Sequence, residues 1–255
     1  MTDVVCDLDG VIYRGDTLIA GSDEGLQRLI SGGVNVLFVT NNSTRTPLEV
    51  AAKIHRVTGV DVSPDHIITS SQAAAATISP SDGQVFIVGE NGIAEALRRE
   101  GLEVTESDRL AGVVVVGLCR DLSYSLLSGA ANAVRNGARF IATNTDPTFP
   151  TAEGLAPGAG AIVAAVAAAS GFEPEVAGKP HPAMRSLIRN RVGSDVWVIG
   201  DRIDTDIKMA GFESAWQSVL VMTGVTTVDD GAQRDFVADD LNSAVDLVLD
   251  GRHRQ

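Results

Sequence analysis

Val4-Val5-Cys6-Asp7-Leu8-Asp9-Gly10 is an apolar run that closes on two carboxylates and a glycine. A run so uniformly apolar reads as a strand, residues 4–7, buried on both faces in a parallel sheet. Similar runs recur at 34–40, 84–88, 112–116, 139–142, 196–200 and 218–222. Between them lie stretches of helical period at 22–31, 47–58, 91–100, 124–135 and 182–192. Short apolar strands alternating with amphipathic helices are the βαβ signature, so the expected class is α/β with a Rossmann-like, doubly wound parallel sheet.

The rest of the composition is compatible with that reading. At 255 residues the chain exceeds one typical domain of roughly 100–200 residues. Polar residues at strand ends cluster before residue 43 and again over 179–206, whereas 81–176 has its own strand and helix pattern with fewer of them. The simplest organisation is a core of residues 1–80 and 177–255, interrupted by an inserted α/β domain at 81–176. Cys6 and Cys119 each lie in or beside an apolar run and read as buried, reduced thiols. A net charge of −13 opposes binding to nucleic-acid backbones. The longest apolar runs, 113–116 and 161–169, fall well short of the roughly 20 residues a membrane span needs. The N-terminus carries no signal-peptide pattern, so a cytoplasmic location with no membrane partner is expected.

In open parallel sheets ligands collect beyond the carboxyl ends of the strands. Alternation places Asp7 and Asp9 on one side, roughly 6–7 Å apart if the strand stays extended. Two such charges need a cation or a shared proton, although Asp and Gly there could equally shape a turn. The strand 34–40 closes on Thr40, followed by Asn41, Asn42 and Ser43, which offer donors to an anion or an ordinary helix cap. Lys179, fixed between Gly178 and Pro180, matters only in company, and His181 beside it reads as a loop residue. Asp201, Asp204 and Asp206 follow the strand 196–200 and suit a hard cation, with one of the latter two capping the next helix.

Taken together these residues resemble the haloacid dehalogenase superfamily of phosphohydrolases. Its four motifs are matched by Asp7-Leu8-Asp9-Gly10, Thr40, Lys179 and Gly200-Asp201-Arg202-Ile203-Asp204-Thr205-Asp206. More narrowly the chain is similar to the NagD-like and 4-nitrophenylphosphatase-type subfamily with a large cap. The supporting stretches are Val39-Thr40-Asn41-Asn42-Ser43, Ala142-Thr143-Asn144-Thr145-Asp146, Pro157-Gly158-Ala159-Gly160-Ala161 and Gly178-Lys179-Pro180.

The resemblance implies a Mg²⁺-dependent phosphatase acting on a small phosphorylated metabolite. It makes Asp7 the nucleophile, Asp9 the acid and base, and Lys179 the neutralising cation. Asp7, Asp9 through its main-chain carbonyl and Asp201 would hold the metal, with Asp206 in support. Thr40, Asn41 and Asn42 would bind the phosphoryl group, and Asp146 and Phe149 the leaving group. Related caps often pair, so a homodimer through the cap is expected. A phosphomutase, or a catalytically idle phospho-ligand-binding protein, is the competing reading. Asp9 argues against a dehalogenase, and the lack of a full glycine fingerprint argues against an oxidoreductase.

Overall fold

The computed structural model describes residues 2–151, 154–226 and 234–251. Contacts divide the chain into two compact units. Met1–Thr40, Pro47–Ile68 and Arg185–Gln255 form the first, and Asn41–Thr46 with Thr69–Met184 the second. The expected division at 81 and 176 rests instead on the pattern of polar residues at strand ends.

The first unit is built on a six-stranded sheet. Its order is Phe236–Ala238, Trp216–Val221, Val196–Gly200, Asp3–Cys6, Asn35–Thr40 and Ile67–Thr69. The pairs from Phe236–Ala238 as far as Asn35–Thr40 are parallel, with Cys6 level with Ile199 on one side and Phe38 on the other. From Asp3–Cys6 the chain continues to one edge, whereas the strands from Val196 onward run to the opposite edge. The order therefore reverses between Asp3–Cys6 and Val196–Gly200, and such a switch point opens a crevice for ligands.

Alternation explains the packing. Val4, Cys6, Val36, Phe38, Trp197, Ile199, Val219 and Val221 share one cluster with Leu26 and Leu29 of helix Ser22–Ser31 and with Leu241, Val245 and Val248 of helix Leu241–Gly251. The alternate residues Val5, Leu37, Val198 and Leu220 are buried as well, so both faces of the sheet are covered. Phe38 is almost fully buried at the centre of this cluster. Truncating it to alanine is expected to cost about 3–5 kcal/mol.

The second unit has a five-stranded sheet ordered Glu175–Val176, Arg139–Ala142, Ala111–Val116, Gln84–Val88 and Val104–Thr105, again parallel. Helices Tyr124–Arg135 and Ala159–Ser170 cover it, with Ala130, Ala133, Val134, Ile162, Val163 and Val166 meeting Val114, Val116 and Phe140. A hairpin pairs Thr148–Thr151 with Gly154–Pro157.

The seven expected strands are all present, shifted by at most two residues at an end. Short strands such as Glu175–Val176 and Phe236–Ala238 are additions to them, because two or three residues carry no period. The run 161–169 lies inside helix Ala159–Ser170. Among the described residues no helix is long and apolar enough to cross a membrane.

Candidate active site

Asp7 directly follows the central strand and extends its ladder, donating its N–H to the Ile199 carbonyl at 2.9 Å. Asp201 follows the neighbouring strand Val196–Gly200, which sets both carboxylates at the switch point. After Asp201 the backbone forms a π-helical turn, Ile203–Ile207, with the N–H of Ile207 reaching the Arg202 carbonyl at 3.2 Å. Such turns are rare and concentrate at functional sites. This one brings Asp206 back, where its Oδ2 accepts from the Arg202 N–H at 3.3 Å and the Thr205 hydroxyl at 3.2 Å.

Asp7, Asp201 and Asp206 are all buried, and one carboxylate oxygen from each lies within 4.8 Å of the others. At an effective dielectric near 20, charges at that spacing repel by about 3.5 kcal/mol per pair. The cluster thus favours a cation among its oxygens.

Three glycines make room for it. A Cβ on Gly224 would lie 1.8 Å from Asp201 Oδ2, and one on Gly10, whose φ is +93°, 2.5 Å from the same atom. A Cβ on Gly200 would meet Asp206 Cβ at 2.2 Å. The loops bearing Gly10 and Gly224 are tied together, because the Thr223 hydroxyl donates to the Gly10 carbonyl at 2.7 Å. The Val225 N–H then donates to Asp201 Oδ2 at 2.6 Å and fixes that side chain.

Asp9 is half-buried, and its carboxylate stands outside the three-residue cluster. Asp204 turns outward and pairs with Arg202 at 2.8 Å rather than capping the next helix. Hydrogen bonding to that guanidinium holds its carboxyl below the ordinary carboxylate value. Thr40 is buried at the end of strand Asn35–Thr40 in the same unit.

The remaining expected residues fall in the second unit. Lys179 is buried, and the Asn41 side chain grips its backbone. The Lys179 N–H donates to Asn41 Oδ1 at 2.8 Å, and Asn41 Nδ2 donates to the Lys179 carbonyl at 3.3 Å and to Asp146 Oδ2 at 3.4 Å. Asn42 Oδ1 accepts from the backbone N–H and hydroxyl of Thr44, both at 2.8 Å, an Asx-type turn. Phe149 sits on the hairpin, with the Arg120 guanidinium 6.0 Å from its ring centre. Arg120 is held by both carboxylate oxygens of Glu90 at 2.8 Å. Glu90 and Arg120 follow the strands Gln84–Val88 and Ala111–Val116, so a search of every strand end would have found them.

A family model described as haloacid dehalogenase-like hydrolase matches residues 4–103, and a second, described as HAD-hydrolase-like, matches 176–244. The acid sugar phosphatase of Staphylococcus epidermidis is 38% identical over 248 residues, which cover 94% of this chain and 95% of that protein. The solved p-nitrophenyl phosphatase of Archaeoglobus fulgidus superposes with a TM-score of 0.87 at 35% identity, covering 96% of this chain and 98% of the other. The glycerol phosphate phosphatase of Mycobacterium tuberculosis, solved in complex with magnesium, gives 0.83 at 35% identity over 94% of this chain and 75% of its own. The doubly wound sheet with aspartates at its switch point is thus that of a hydrolase family with a common core. The chain belongs to the haloacid dehalogenase-like hydrolase family.

Proposed function

We propose that this chain hydrolyses small phosphate monoesters of the sugar- or polyol-phosphate kind, with Asp7 as nucleophile and Mg²⁺ as cofactor. It is a phosphoric monoester hydrolase, as are the phosphatases that it resembles over nearly its whole length. The observation that carries the reading is the approach of three buried aspartates at the switch point of the sheet. An all-oxygen, carboxylate-rich donor set fits a hard divalent cation. Asp7, Asp201 and the Asp9 carbonyl are the proposed ligands, with Asp206 in support. When bound, the ion supplies the positive charge that lets an anionic nucleophile meet an anionic ester.

In the first step an Asp7 carboxylate oxygen attacks phosphorus in line, and the bond from phosphorus to the ester oxygen breaks. Asp9 gives its proton to the departing oxygen, so the alcohol leaves neutral. In the second step Asp9 takes a proton from water as that water attacks phosphorus. The bond from phosphorus to Asp7 then breaks and frees inorganic phosphate. Lys179 offsets the charge of the transferring group, and Thr40 and Asn42 donate to phosphoryl oxygens, whereas the Asn41 side chain is taken up by the Lys179 backbone and Asp146.

Residues 81–176 act as the cap that selects the leaving group, with Asp146 and Phe149 as its contacts. An aromatic face beside the Glu90–Arg120 pair offers both apolar area and hydrogen-bonding groups, a combination that suits a polyol. A cytoplasmic enzyme that pairs through its caps completes the proposal.

The test is phosphate release from a panel of sugar, glycerol, nucleoside and aryl phosphates, each with Mg²⁺ and with EDTA, beside Asp7→Asn. Mg²⁺-dependent release that the substitution abolishes supports the reading. An isomeric phosphate product with no free phosphate would move the assignment to a mutase. Silence from folded protein on every ester would sink it.

A further inference from the structure

Lys179 carries its charge on a long, flexible stem, so its effect depends on where its backbone is anchored. Two groups of Asn41 hold that backbone, one at the N–H and one at the carbonyl of Lys179. The approach is close. A Cβ on Gly178 would lie 2.6 Å from Asn41 Oδ1 and 2.4 Å from the Thr143 carbonyl oxygen.

Asn41 is itself held from behind. Asn144 is buried, and its Nδ2 donates to the Asn41 carbonyl at 2.7 Å. The Ser70 hydroxyl donates to the same oxygen at 2.6 Å. The other end of the Asn144 amide accepts from the Asp146 N–H at 3.0 Å, which fixes its orientation. Thr143, the residue before it, continues the ladder beyond strand Arg139–Ala142 by donating its N–H to the Val116 carbonyl at 2.8 Å. Asn144 therefore stands on the sheet and passes that rigidity to Asn41, which passes it to the Lys179 backbone.

We propose that Asn144 is a positioning residue for the Lys179 cation and acts through Asn41. The proposal rests on the assignment of Lys179 as the neutralising charge. Misplacing a catalytic group by an ångström can lower turnover on the order of a hundredfold. Loss of the Asn144 bond is expected to lower kcat by roughly ten- to a hundredfold, with a much smaller change in KM.

Asn144→Asp is the informative variant. It keeps the acceptor facing the Asp146 N–H and replaces the donor to Asn41 by an oxygen that repels the carbonyl. The experiment measures kcat, KM and Mg²⁺ affinity for the wild type, Asn144→Asp, Lys179→Gln and the double variant. Support is a fall in kcat for Asn144→Asp with unchanged Mg²⁺ affinity and no further fall in the Lys179→Gln background. Residues acting as one unit are non-additive in this way.

Losses that multiply in the double variant, or a wild-type kcat in folded Asn144→Asp, overturn the proposal. A wild-type kcat in Lys179→Gln overturns the assignment of Lys179, and the positioning role with it. If Asn144→Asp does not fold, Ser70→Ala removes the other donor to the same carbonyl and takes its place in the cycle. A fall in kcat that vanishes in the Lys179→Gln background then supports the proposal, and a multiplying loss or a wild-type kcat overturns it.

Discussion

Neutralising Asp201 tests the charge argument without any assay of turnover. In Asp201→Asn the amide oxygen can still accept the Val225 N–H, which is 2.6 Å from Oδ2, and the volume hardly changes. What disappears is one of three charges whose oxygens lie within 4.8 Å, and at about 3.5 kcal/mol per pair two of the three repulsions go with it. Asp7 retains a little solvent contact, and the cluster can take up protons, so most of that gain is lost. A net stabilisation of about 2 kcal/mol remains, which for a chain of this length raises Tm by roughly 4–8 °C.

The comparison is thermal unfolding of wild type and Asp201→Asn, in EDTA and across a Mg²⁺ titration. In EDTA the variant melts higher. Saturating Mg²⁺ reverses the order, because binding at about a hundred times Kd stabilises the wild type by roughly 2.7 kcal/mol and leaves the variant nearly unmoved. A variant less stable than wild type in EDTA, or a wild type indifferent to Mg²⁺, would refute the reasoning that these carboxylates form a cation site.

Three further outcomes are expected. Gly224→Ala places a methyl group 1.8 Å from Asp201 Oδ2, so Mg²⁺ affinity measured by calorimetry should fall at least tenfold, and near-wild-type affinity would show that the loop gives way freely. Burial pushes the Cys119 thiol up from its ordinary value and Cys6 is fully buried, so both should react with a thiol reagent far more slowly in native than in urea-unfolded protein. The Asp204 carboxyl is held below its ordinary value of 3.8 by Arg202, so its contribution is present above that pH and lost as pH falls through the lowered value. Asp204→Asn should therefore be slightly less stable than wild type at pH 7, with the deficit shrinking as pH falls below 3.8, and a deficit that does not shrink in acid would exclude the ion pair as its cause.

Much of this could be read from the chain, for physical reasons. Strands such as Val196–Gly200 are buried on both faces and so are written as continuous apolar runs, and their last residues point to Asp7 and Asp201. What eluded the sequence depends on approach in space. Nothing in Met222-Thr223-Gly224-Val225 shows that Gly224 leaves room for a carboxylate 23 positions earlier. Asn41 reads as a donor for an anion, yet its amide is engaged with the Lys179 backbone across a separation of 138 residues. Asn144 stands in a recognisable stretch, but its task is set by a carbonyl 103 residues away. Spacing alone makes Asp204 and Asp206 rivals for a helix cap, and the π-helical turn instead sends one outward to Arg202 and the other inward.

The place of the first strand has a consequence for synthesis. Asp3–Cys6 leaves the ribosome before its neighbours in the sheet, and one of the two is Val196–Gly200. At about 5–20 residues per second, Asp7 waits roughly 10–40 s for Asp201 to be made. Throughout that interval the strand bearing Asp7 has one open edge, an invitation to pair with another nascent chain. The cluster of Asp7, Asp201 and Asp206 thus forms only after residue 206 has been made, and a chain truncated before residue 196 cannot assemble it at all.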